Sequence, residues 1–271
     1  MSCETAKPVQ PRARGGLRLT AKRRGAATVI ADLRQEGSLK ALFPKVRGDA
    51  LDAVFLNTSG GLTGGDRMRI EAEAGAGAHV VLSSQAAERG YRAHPGEVAE
   101  VDVSLNVADG GRIDWMPQET ILFDRAAVSR RMHVHLEGDA HAMLVEPLVL
   151  GRRAMGETVR SVLFRDQWRV RRDGQLVFAD AIRLEGDAVE LMAGNATGQG
   201  AGALATILLA GPAAVERYAR LALQGTSGAS LIADDLLLVR LLARDGFDLR
   251  AQMIPVLTAL ADVPVPRVWR L

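Results

Sequence analysis

Residues 168–178 read WRVRRDGQLVF, two short runs of residues on either side of Asp173-Gly174. In the first run Trp168 and Val170 alternate with arginines, which is typical of a strand with one buried face. Asp-Gly supports the positive φ angles of a tight turn, and Leu176-Val177-Phe178 supplies the returning strand. The stretch therefore predicts a β-hairpin.

The same alternation extends along much of the chain. From residue 17 to about residue 191, short apolar alternations are separated by turn residues at roughly 8–12-residue spacing. Strand-like runs occur at residues 80–82, 101–105 and 132–136, and the glycine-rich turns at 75–77 and 109–111 separate further strands. This pattern predicts a mainly β body, either a sandwich, a barrel or an irregular solenoid, and not βαβ units. No fixed-period repeat is visible, so a solenoid of identical rungs is not expected.

The C-terminal part of the sequence has a different pattern. Residues 203–210 predict a strand, and Gly211-Pro212 opens a predicted helix to Leu223, because proline suits the first helical position. Residues 230–232 and 236–242 predict a hairpin, although the second run is equally compatible with a helix.

A last helix is predicted near the end of the chain. Asp248 is its expected N-cap, and the helix is expected to continue to Leu260. Pro255 lies inside it, where it would cause a kink or an early stop. We therefore expect about two α-helices near the C-terminus of a mainly β protein.

The composition is that of an ordinary globular protein, 48% hydrophobic and 24% charged with a formal net charge of +2. Cys3 is the single cysteine, so no disulfide framework, paired-cysteine metal site or Cys/His nucleophile can form. The N-terminus lacks the apolar core of a secretion signal, and no run approaches the roughly 18 apolar residues of a membrane helix. We expect a cytoplasmic protein without membrane contact.

Basic residues concentrate near the N-terminus, where six fall within thirteen positions: Arg12, Arg14, Arg18, Lys22, Arg23 and Arg24. Nucleic-acid binding would require aromatic residues among these charges, and the stretch has none. A solvated tail that leads into an edge strand is favoured, and no nucleic-acid partner is expected. Residues 1–14 are predicted to be a disordered tail and residues 15–271 a single domain.

The most distinctive stretch is NTSGGLTGGD, residues 57–66, with four glycines in six positions. Such a run permits left-handed backbone and the close approach of another chain or ligand. It lacks the Lys-Ser/Thr ending of a Walker loop, and the residues after it alternate like a strand. A pair of tight turns is therefore favoured over a phosphate-binding loop.

Two other stretches concentrate carboxylates. DWMPQETILFD, residues 114–124, carries Asp114, Glu119 and Asp124, which could serve as the acid–base pair of a β-helical or β-sandwich carbohydrate-active enzyme. Such enzymes usually present exposed aromatic platforms, whereas aromatic residues make up 4% of this chain. Further on, Glu146 and Glu157 flank a Gly-Arg turn, for which a salt-bridged loop is the favoured interpretation.

Histidines offer a weaker candidate metal site. His133 and His135 are two apart in a predicted strand, so both imidazoles face the same way. Two such ligands are the minimum for one Ni²⁺ or Zn²⁺, and His141, Glu137 or Asp139 could supply a third. A His-x-His pair on a strand is more often part of a solvent-facing surface.

Several short segments are informative when they are considered together. They are, in chain order, residues 60–66 (GGLTGGD), 83–86 (SSQA) with Tyr91-Arg92, 115–123 (WMPQETILF), and 150–152 (LGR) with Gly156-Glu157. Residues 165–168 (RDQW) and 266–269 (PRVW) add weaker support. Together they resemble the urease accessory protein D family, called H in some species. The matches keep the family's order from about Arg14 to Trp269, and residues 115–123 are the most specific of them.

The resemblance implies a β-solenoid-like body and no enzymatic activity. It implies partners, namely accessory protein F, accessory protein G (a GTPase) and apo-urease, and a role in delivering nickel to urease through an internal polar tunnel. No cofactor would be bound stably, and Ni²⁺ would be in transit. The matching polar positions are the candidate tunnel-lining residues: Asp66, Ser83, Ser84, Gln85, Glu119 and Glu157, with Asp124 adjoining. Asp66, Glu119 and Glu157 are expected to converge on one water-filled path.

Overall fold

The computed structural model describes residues 11–45 and 48–269. The strands in this part of the chain are β1 (Arg14–Arg24), β2 (Ala27–Gly37), β3 (Leu39–Leu42), β4 (Leu51–Asn57), β5 (Arg67–Ala74), β6 (His79–Ser84), β7 (Glu88–Gly90), β8 (Ala99–Val107), β9 (Arg112–Met116), β10 (Thr120–Leu122), β11 (Ala127–Leu136), β12 (His141–Leu150), β13 (Val162–Arg172), β14 (Gln175–Gly186), β15 (Ala203–Ala210), β16 (Gly228–Ala233) and β17 (Leu236–Ala243). The helices are α1 (Ala188–Ala193), α2 (Ala214–Tyr218) and α3 (Gly246–Leu260), with single 3₁₀ turns at Arg153–Met155 and Arg267–Trp269.

The strands form two sheets. One sheet has seven strands in the order β14-β13-β11-β8-β5-β1-β2. The other has ten, in the order β16-β17-β15-β12-β9-β6-β4-β3, with β10 joined to β12 and to β7. Strands β1, β5, β8, β11 and β13 run parallel in the first sheet, as do β4, β6, β9 and β12 in the second. Antiparallel strands extend both sheets at their ends.

The chain alternates between the two sheets. Strand β5 leads into β6, β8 into β9 and β11 into β12, and each connection crosses from one sheet to the other. Arg67, Glu100, Ser129 and Arg165 lie side by side in successive strands, so the rungs are 33, 29 and 36 residues long. Unequal rungs explain why the sequence shows no fixed period. The predicted mainly β, irregular solenoid is confirmed.

Aspartates connect the turns between successive rungs. The Asp109 carboxylate accepts a hydrogen bond from the backbone of Asp139 at 3.0 Å, and Asp173 accepts one from the backbone of Gly138 at 2.9 Å. Asp173 belongs to the predicted hairpin, where it and Gly174 have φ angles of 48° and 79° between antiparallel β13 and β14. The hairpin is confirmed, and its turn also ties the last rung to the one before it.

Apolar side chains fill two spaces. One lies between the sheets and contains Leu105 and Trp168 among many others. The second lies on the outer face of the ten-stranded sheet, where Met143 packs with Leu257 of α3 and with Trp269. Strand β12 is therefore buried on both faces, which explains why every position from Ala142 to Leu150 except Glu146 is apolar.

Helix α3 starts earlier than predicted. Asp245, and not Asp248, is its N-cap, because the Asp245 carboxylate accepts a hydrogen bond from the backbone of Asp248 at 2.9 Å. The helix passes through Pro255 and ends at Leu260, so the proline does not stop it. The buried residues of α3 pack on the ten-stranded sheet. This packing offsets the loss of the backbone hydrogen bond that Pro255 cannot donate.

The other C-terminal predictions have mixed outcomes. The helix expected from Gly211 to Leu223 is wrong in extent, since α2 is a little over one turn and its Val215 and Tyr218 are exposed. Exposed apolar side chains such as these supply no packing energy for further turns. The hairpin of β16 and β17 is confirmed, and its second run is a strand. Helix α1 was not predicted, although Asp187 caps it by accepting from the backbone of residue 189 at 2.8 Å.

The N-terminal end of the described chain contacts the body. Residues 1–10, most of the predicted tail, lie outside the described residues. The backbone N–H of Ala13 donates to the Asp66 carboxylate at 2.7 Å, directly before β1 begins at Arg14. Across residues 11–45 and 48–269, no helix is both long and apolar enough to cross a membrane.

Candidate functional site

A cavity of about 320 Å³ lies between the two sheets. Its walls are mainly apolar and come from both sheets: Leu39, Phe55, Leu62, Met68, Ile70, Val101, Val103, Trp115, Val128 and Phe164. Phe55 and Trp115, on β4 and β9, stack at 5.1 Å between ring centroids with an interplanar angle of 11°. The cavity therefore belongs to the solenoid interior.

Polar groups enter this cavity where neighbouring parallel strands end. Asn57 ends β4, Ser84 ends β6, and Gln118 follows the end of β9. Parallel strands of one sheet end at the same edge, so these residues are brought together although they are far apart in sequence. The Ser84 hydroxyl accepts from the backbone of Gln118 at 2.8 Å and donates to the carbonyl of Ala86 at 2.9 Å.

Glu88, the first residue of β7, adds a carboxylate to the same cavity. The Asn57 amide donates to its two oxygens at 3.3 and 3.4 Å. Burial raises the pKa of Glu88 to about 7, against the opposing effects of the Asn57 amide and of its neighbour Arg89. Near neutral pH this carboxyl group is therefore poised between its protonated and ionised forms.

A buried triad of charges adjoins the cavity, and two of its members, Arg130 and Glu146, line it. The Arg130 guanidinium donates to the Asp166 carboxylate at 3.0 and 2.7 Å and also bonds Glu146. The indole of Trp115 donates to Glu146 at 2.8 Å and that of Trp168 donates to Asp166 at 3.2 Å. Every member of the triad is buried.

Two carboxylates share one arginine in this triad. This excess of negative charge determines which member of the triad is protonated. Burial raises the pKa of Glu146 to about 7, with the Arg130 charge opposing the shift and Asp166 adding to it. Burial by itself would lower the pKa of Arg130, but the two carboxylates outweigh it and raise the pKa. The arginine therefore stays charged, and Glu146 is the member that takes up a proton.

The structure places the predicted tunnel residues in several locations. Ser84 and Gln85 line the cavity, and Ser83 is buried in β6 directly before them. Glu119 is buried but faces α3, where Arg250 donates to its oxygens at 2.9–3.0 Å. Its sequence neighbours Gln118 and Thr120 line the cavity, whereas Glu119 does not.

Asp66 and the pair of Asp124 and Glu157 have structural partners of their own. Asp66 accepts from the backbone of Thr63 at 2.7 Å and from that of Ala13, so it holds the glycine loop against the start of β1. This loop forms two tight turns, as the sequence predicted, with hydrogen bonds from residue 60 to 57 and from 66 to 63. Asp66, Glu119 and Glu157 share no hydrogen-bond partner, and none of them lines the cavity between the sheets.

Asp124 and Glu157 organise the loops near residue 152. Asp124 accepts from the backbones of residues 160 and 161 at 2.8 and 2.9 Å. Glu157 accepts from the backbone of Asp124 at 3.2 Å and from the guanidinium of Arg152 at 2.9 Å. Burial acts to raise the pKa of Glu157, but these hydrogen bonds outweigh it and lower the pKa. The salt-bridged loop favoured by the sequence is thus present at this glutamate, whereas Glu146 is part of the interior.

His133 and His135 both point outward from β11, as their spacing predicted, and both are exposed. No group of three or more His, Cys, Asp or Glu side chains suited to a metal ion occurs among residues 11–45 and 48–269. Binding of metal by the two histidines stays a prediction.

The acid–base alternative is not favoured by the geometry. Asp114 is fully buried between Arg112 and His79, with 2.8 Å to each. Burial acts to raise the pKa of Asp114, but Arg112 and His79 outweigh it and lower the pKa. Asp114, Glu119 and Asp124 hold separate partners and do not face one cavity.

Three residues of the interior escaped prediction, namely Glu88, Arg130 and Arg250. Arg130 carried a signal, because it stands among Val128, Met132 and Val134 on the apolar face of β11. Arg250 lies one helical turn from the buried Met253 of α3. An ionisable side chain within an apolar stripe indicates a buried partner. Glu88 carried no comparable signal.

Comparison with known proteins identifies the family of the chain. A family profile described as UreD urease accessory protein matches residues 13–270. The chain belongs to the UreD family. Relatives named urease accessory protein UreD include one from Rhizobium leguminosarum bv. viciae, 46% identical over 100% of both chains, and one from Ruegeria sp., 46% identical over 96% of this chain and 91% of the relative.

Membership in the UreD family confirms the resemblance that the glycine loop and the segment 115–123 carried. The match covers the two sheets and all three helices. UreD proteins are named as accessory factors of urease, so this chain serves the maturation of an enzyme and is not itself one. The carbohydrate-active alternative is thereby set aside.

Proposed function

We propose that the chain is a non-catalytic scaffold that binds apo-urease together with accessory proteins F and G and assists the delivery of nickel. The ion would pass through the cavity between the sheets. The observation that carries the proposal is the set of oxygen groups that enters this otherwise apolar cavity, above all the carboxylate of Glu88.

The chemistry of these groups fits an ion in transit. Amide, hydroxyl and carboxylate oxygens hold Ni²⁺ less tightly than imidazole or thiolate ligands do. The cavity offers the side chains of Asn57, Ser84, Gln85 and Glu88, and none of its lining residues is histidine or cysteine. A path lined in this way would let the ion be released at its far end.

The charge of the cavity also supports passage of a cation. Glu88 carries a negative charge once it loses its proton, and the triad becomes net negative when Glu146 loses its proton as well. Apolar walls around them reduce dielectric screening, so each carboxylate attracts a cation more strongly than it would at the surface.

Nickel analysis of urease tests the proposal. The wild-type chain or a variant is co-expressed with accessory proteins F and G and the urease subunits, and the nickel content of purified urease is measured. Glu88→Gln and Gln85→Leu should lower that content severalfold while co-purification of the chain with its partners persists. The control His133→Ala/His135→Ala changes exposed residues outside the cavity.

Each outcome has a definite meaning. Full nickel content with Glu88→Gln and Gln85→Leu combined would exclude this cavity as the path. Failure of the wild-type chain to co-purify with any of the three partners would exclude the scaffold itself. Loss of nickel in the histidine control alone would move the site to the outside of β11.

A further inference from the structure

The ten-stranded sheet ends in a strand whose outer edge is open. Strand β16 pairs with β17, and among residues 11–45 and 48–269 no other strand pairs with it. All of its residues except Ala229 are exposed. Alternate residues of a strand direct their backbone N–H and C=O groups to each side, so the outer edge of β16 presents a row of these groups to solvent. Such a row is a template for pairing with another strand.

Large apolar side chains accompany this open edge. Leu231 and Ile232 of β16 are 37% and 48% exposed. Helix α2 lies against β16, and its Val215 and Tyr218 are 49% and 42% exposed. We define the edge patch as Val215, Tyr218, Leu231 and Ile232. Apolar side chains that are grouped at one place on the surface are typical of an interaction site.

The other three strands that end the two sheets carry charges, which is how proteins commonly protect an open edge. The charged residues are Asp32, Arg34 and Glu36 on β2, Lys40 on β3, and Asp180, Arg183 and Glu185 on β14. Strand β16 has none, and the whole sequence from residue 221 to residue 233 is free of charge. Its protection is limited to its short length and to a bulge at Ile232.

A strand without charge suits pairing with its own copy. A two-fold axis perpendicular to the sheet brings the outer edges of two β16 strands together in antiparallel directions. Residues near the axis then face their own copies, so a charged residue there would oppose a like charge and destabilise the pair. The exposed Asp234, which follows β16, would lie toward the uncharged residues that precede β16 in the copy.

Antiparallel pairing also continues the order already present at this end of the sheet, where β12, β15, β17 and β16 are antiparallel in succession. A different protein would need charges or pockets on the edge for its selection, and β16 offers no charge for that purpose. We propose that β16 pairs with β16 of a second copy of this chain, so that two ten-stranded sheets join across a two-fold axis. No residue of the edge patch lines the cavity between the sheets, so the pairing is independent of the proposed path for nickel.

Analytical ultracentrifugation of the purified full chain tests the proposal. As concentration rises from about 1 to about 100 µM, the mass should reach that of two chains and no more, because two-fold pairing is closed. Leu231→Lys and Ile232→Lys should each weaken association by about tenfold or more, because each brings like charges together across the axis. The control Ile30→Lys adds the same charge at a 38% exposed position of the edge strand β2 and should associate as the wild type does.

Two further measurements are specific to pairing between copies. Leu231→Lys and Leu231→Glu should each stay single when alone, whereas their mixture should form a two-chain species because opposite charges then meet near the axis. In hydrogen exchange followed by mass spectrometry, the backbone N–H groups of residues 228–233 should become protected as the wild-type concentration rises, and those of β2 should not. Circular dichroism melting confirms that every variant is folded.

Several results would overturn the proposal. The wild type could stay single over the whole concentration range, or form a two-chain species that both lysine substitutions leave unchanged. A mixture of the two charge variants that stays single would place the contact elsewhere. Species larger than two chains would exclude closed pairing. Protection of residues 228–233 that appears only after accessory protein F, accessory protein G or apo-urease is added would assign the edge to that protein, with the scaffold function left intact.

Discussion

Arg250 of α3 holds Glu119, which lies 131 positions earlier in the chain, through hydrogen bonds to both carboxylate oxygens. The same guanidinium lies 5.1 Å from the ring centroid of Trp269, and the indole of Trp269 donates to the carbonyl of Met116 at 3.0 Å. Gln118, between these two anchoring points, lines the cavity. The C-terminal helix and the shape of the cavity wall are therefore coupled.

Removing the guanidinium should destabilise the protein strongly. Arg250→Met leaves the buried Glu119 carboxylate without its partner, and we expect a loss of about 3 kcal/mol in the free energy of unfolding. Urea denaturation followed by tryptophan fluorescence measures this loss. The double variant Arg250→Met/Glu119→Met should recover part of it, because no unpaired charge then remains. A single variant as stable as the wild type would show that the pair does not hold the helix.

Much of the fold could be predicted from the sequence because strand alternation and turn chemistry are local. The hairpin around Asp173-Gly174 could be predicted from its own residues alone. The two turns of the glycine loop could be predicted in the same way. The extent of α2 could not be predicted, since it depends on whether Val215 finds a packing partner in space.

The candidate site was less predictable than the fold for a physical reason. Glu88 acquires its environment from Asn57 and from the opposite sheet, which the sequence does not place beside it. Glu119 was identified from a motif, yet its carboxylate faces Arg250, whereas its neighbours Gln118 and Thr120 line the cavity. A motif locates a segment, whereas the direction of each side chain depends on the register of the sheets.

The two adjacent glycines of the loop should differ in their tolerance of a side chain. A Cβ on Gly61 would lie 2.4 Å from the ring of Tyr91 and 2.6 Å from the carbonyl oxygen of Arg89, whereas a Cβ on Gly60 would have no atom within 4 Å. Both have positive φ, 147° and 82°. Gly60→Ala should therefore cost about 1 kcal/mol, and Gly61→Ala substantially more.

Thermal melting of the two alanine variants measures this difference under identical conditions. The expected order is wild type, then Gly60→Ala, then Gly61→Ala, with the last losing the contact between the loop and β7. Equal melting temperatures for the two variants would show that this close approach is not needed for stability.

The stability of the protein should depend on pH through Glu88. Burial raises the pKa of Glu88 in the folded state to about 7, above the 4.5 of an unperturbed glutamate. The folded state therefore binds more protons than the unfolded state between these values, and its stability falls as pH rises from about 4.5 to about 7. The shift corresponds to a change of about 3 kcal/mol.

The variant Glu88→Gln isolates this contribution. The free energy of unfolding of this variant minus that of the wild type should increase as pH rises from about 5 to about 8. It should change little above that. The control Glu190→Gln, at an exposed position of α1, should leave the pH profile of the wild type unchanged. Parallel profiles for the wild type and Glu88→Gln would mean that Glu88 has the same pKa in both states.

The buried triad makes a sharper prediction because its two carboxylates are not equivalent. Asp166 takes two hydrogen bonds from Arg130, whereas Glu146 takes one and is the group whose pKa is raised to about 7. Glu146→Gln keeps an oxygen for the Trp115 indole and should cost less than about 1 kcal/mol near pH 7. Arg130→Met leaves two buried acids facing each other and should cost about 3–5 kcal/mol.

Lowering the pH separates these two effects. Protonation removes the charges that Arg130→Met leaves unpaired, so this variant should regain stability relative to the wild type between about pH 7 and pH 5. Glu146→Gln should show no such gain, because it has no unpaired charge to neutralise. If Glu146→Gln destabilised the protein as much as Arg130→Met at every pH, the triad would hold both acids ionised and the assignment of the proton to Glu146 would be wrong.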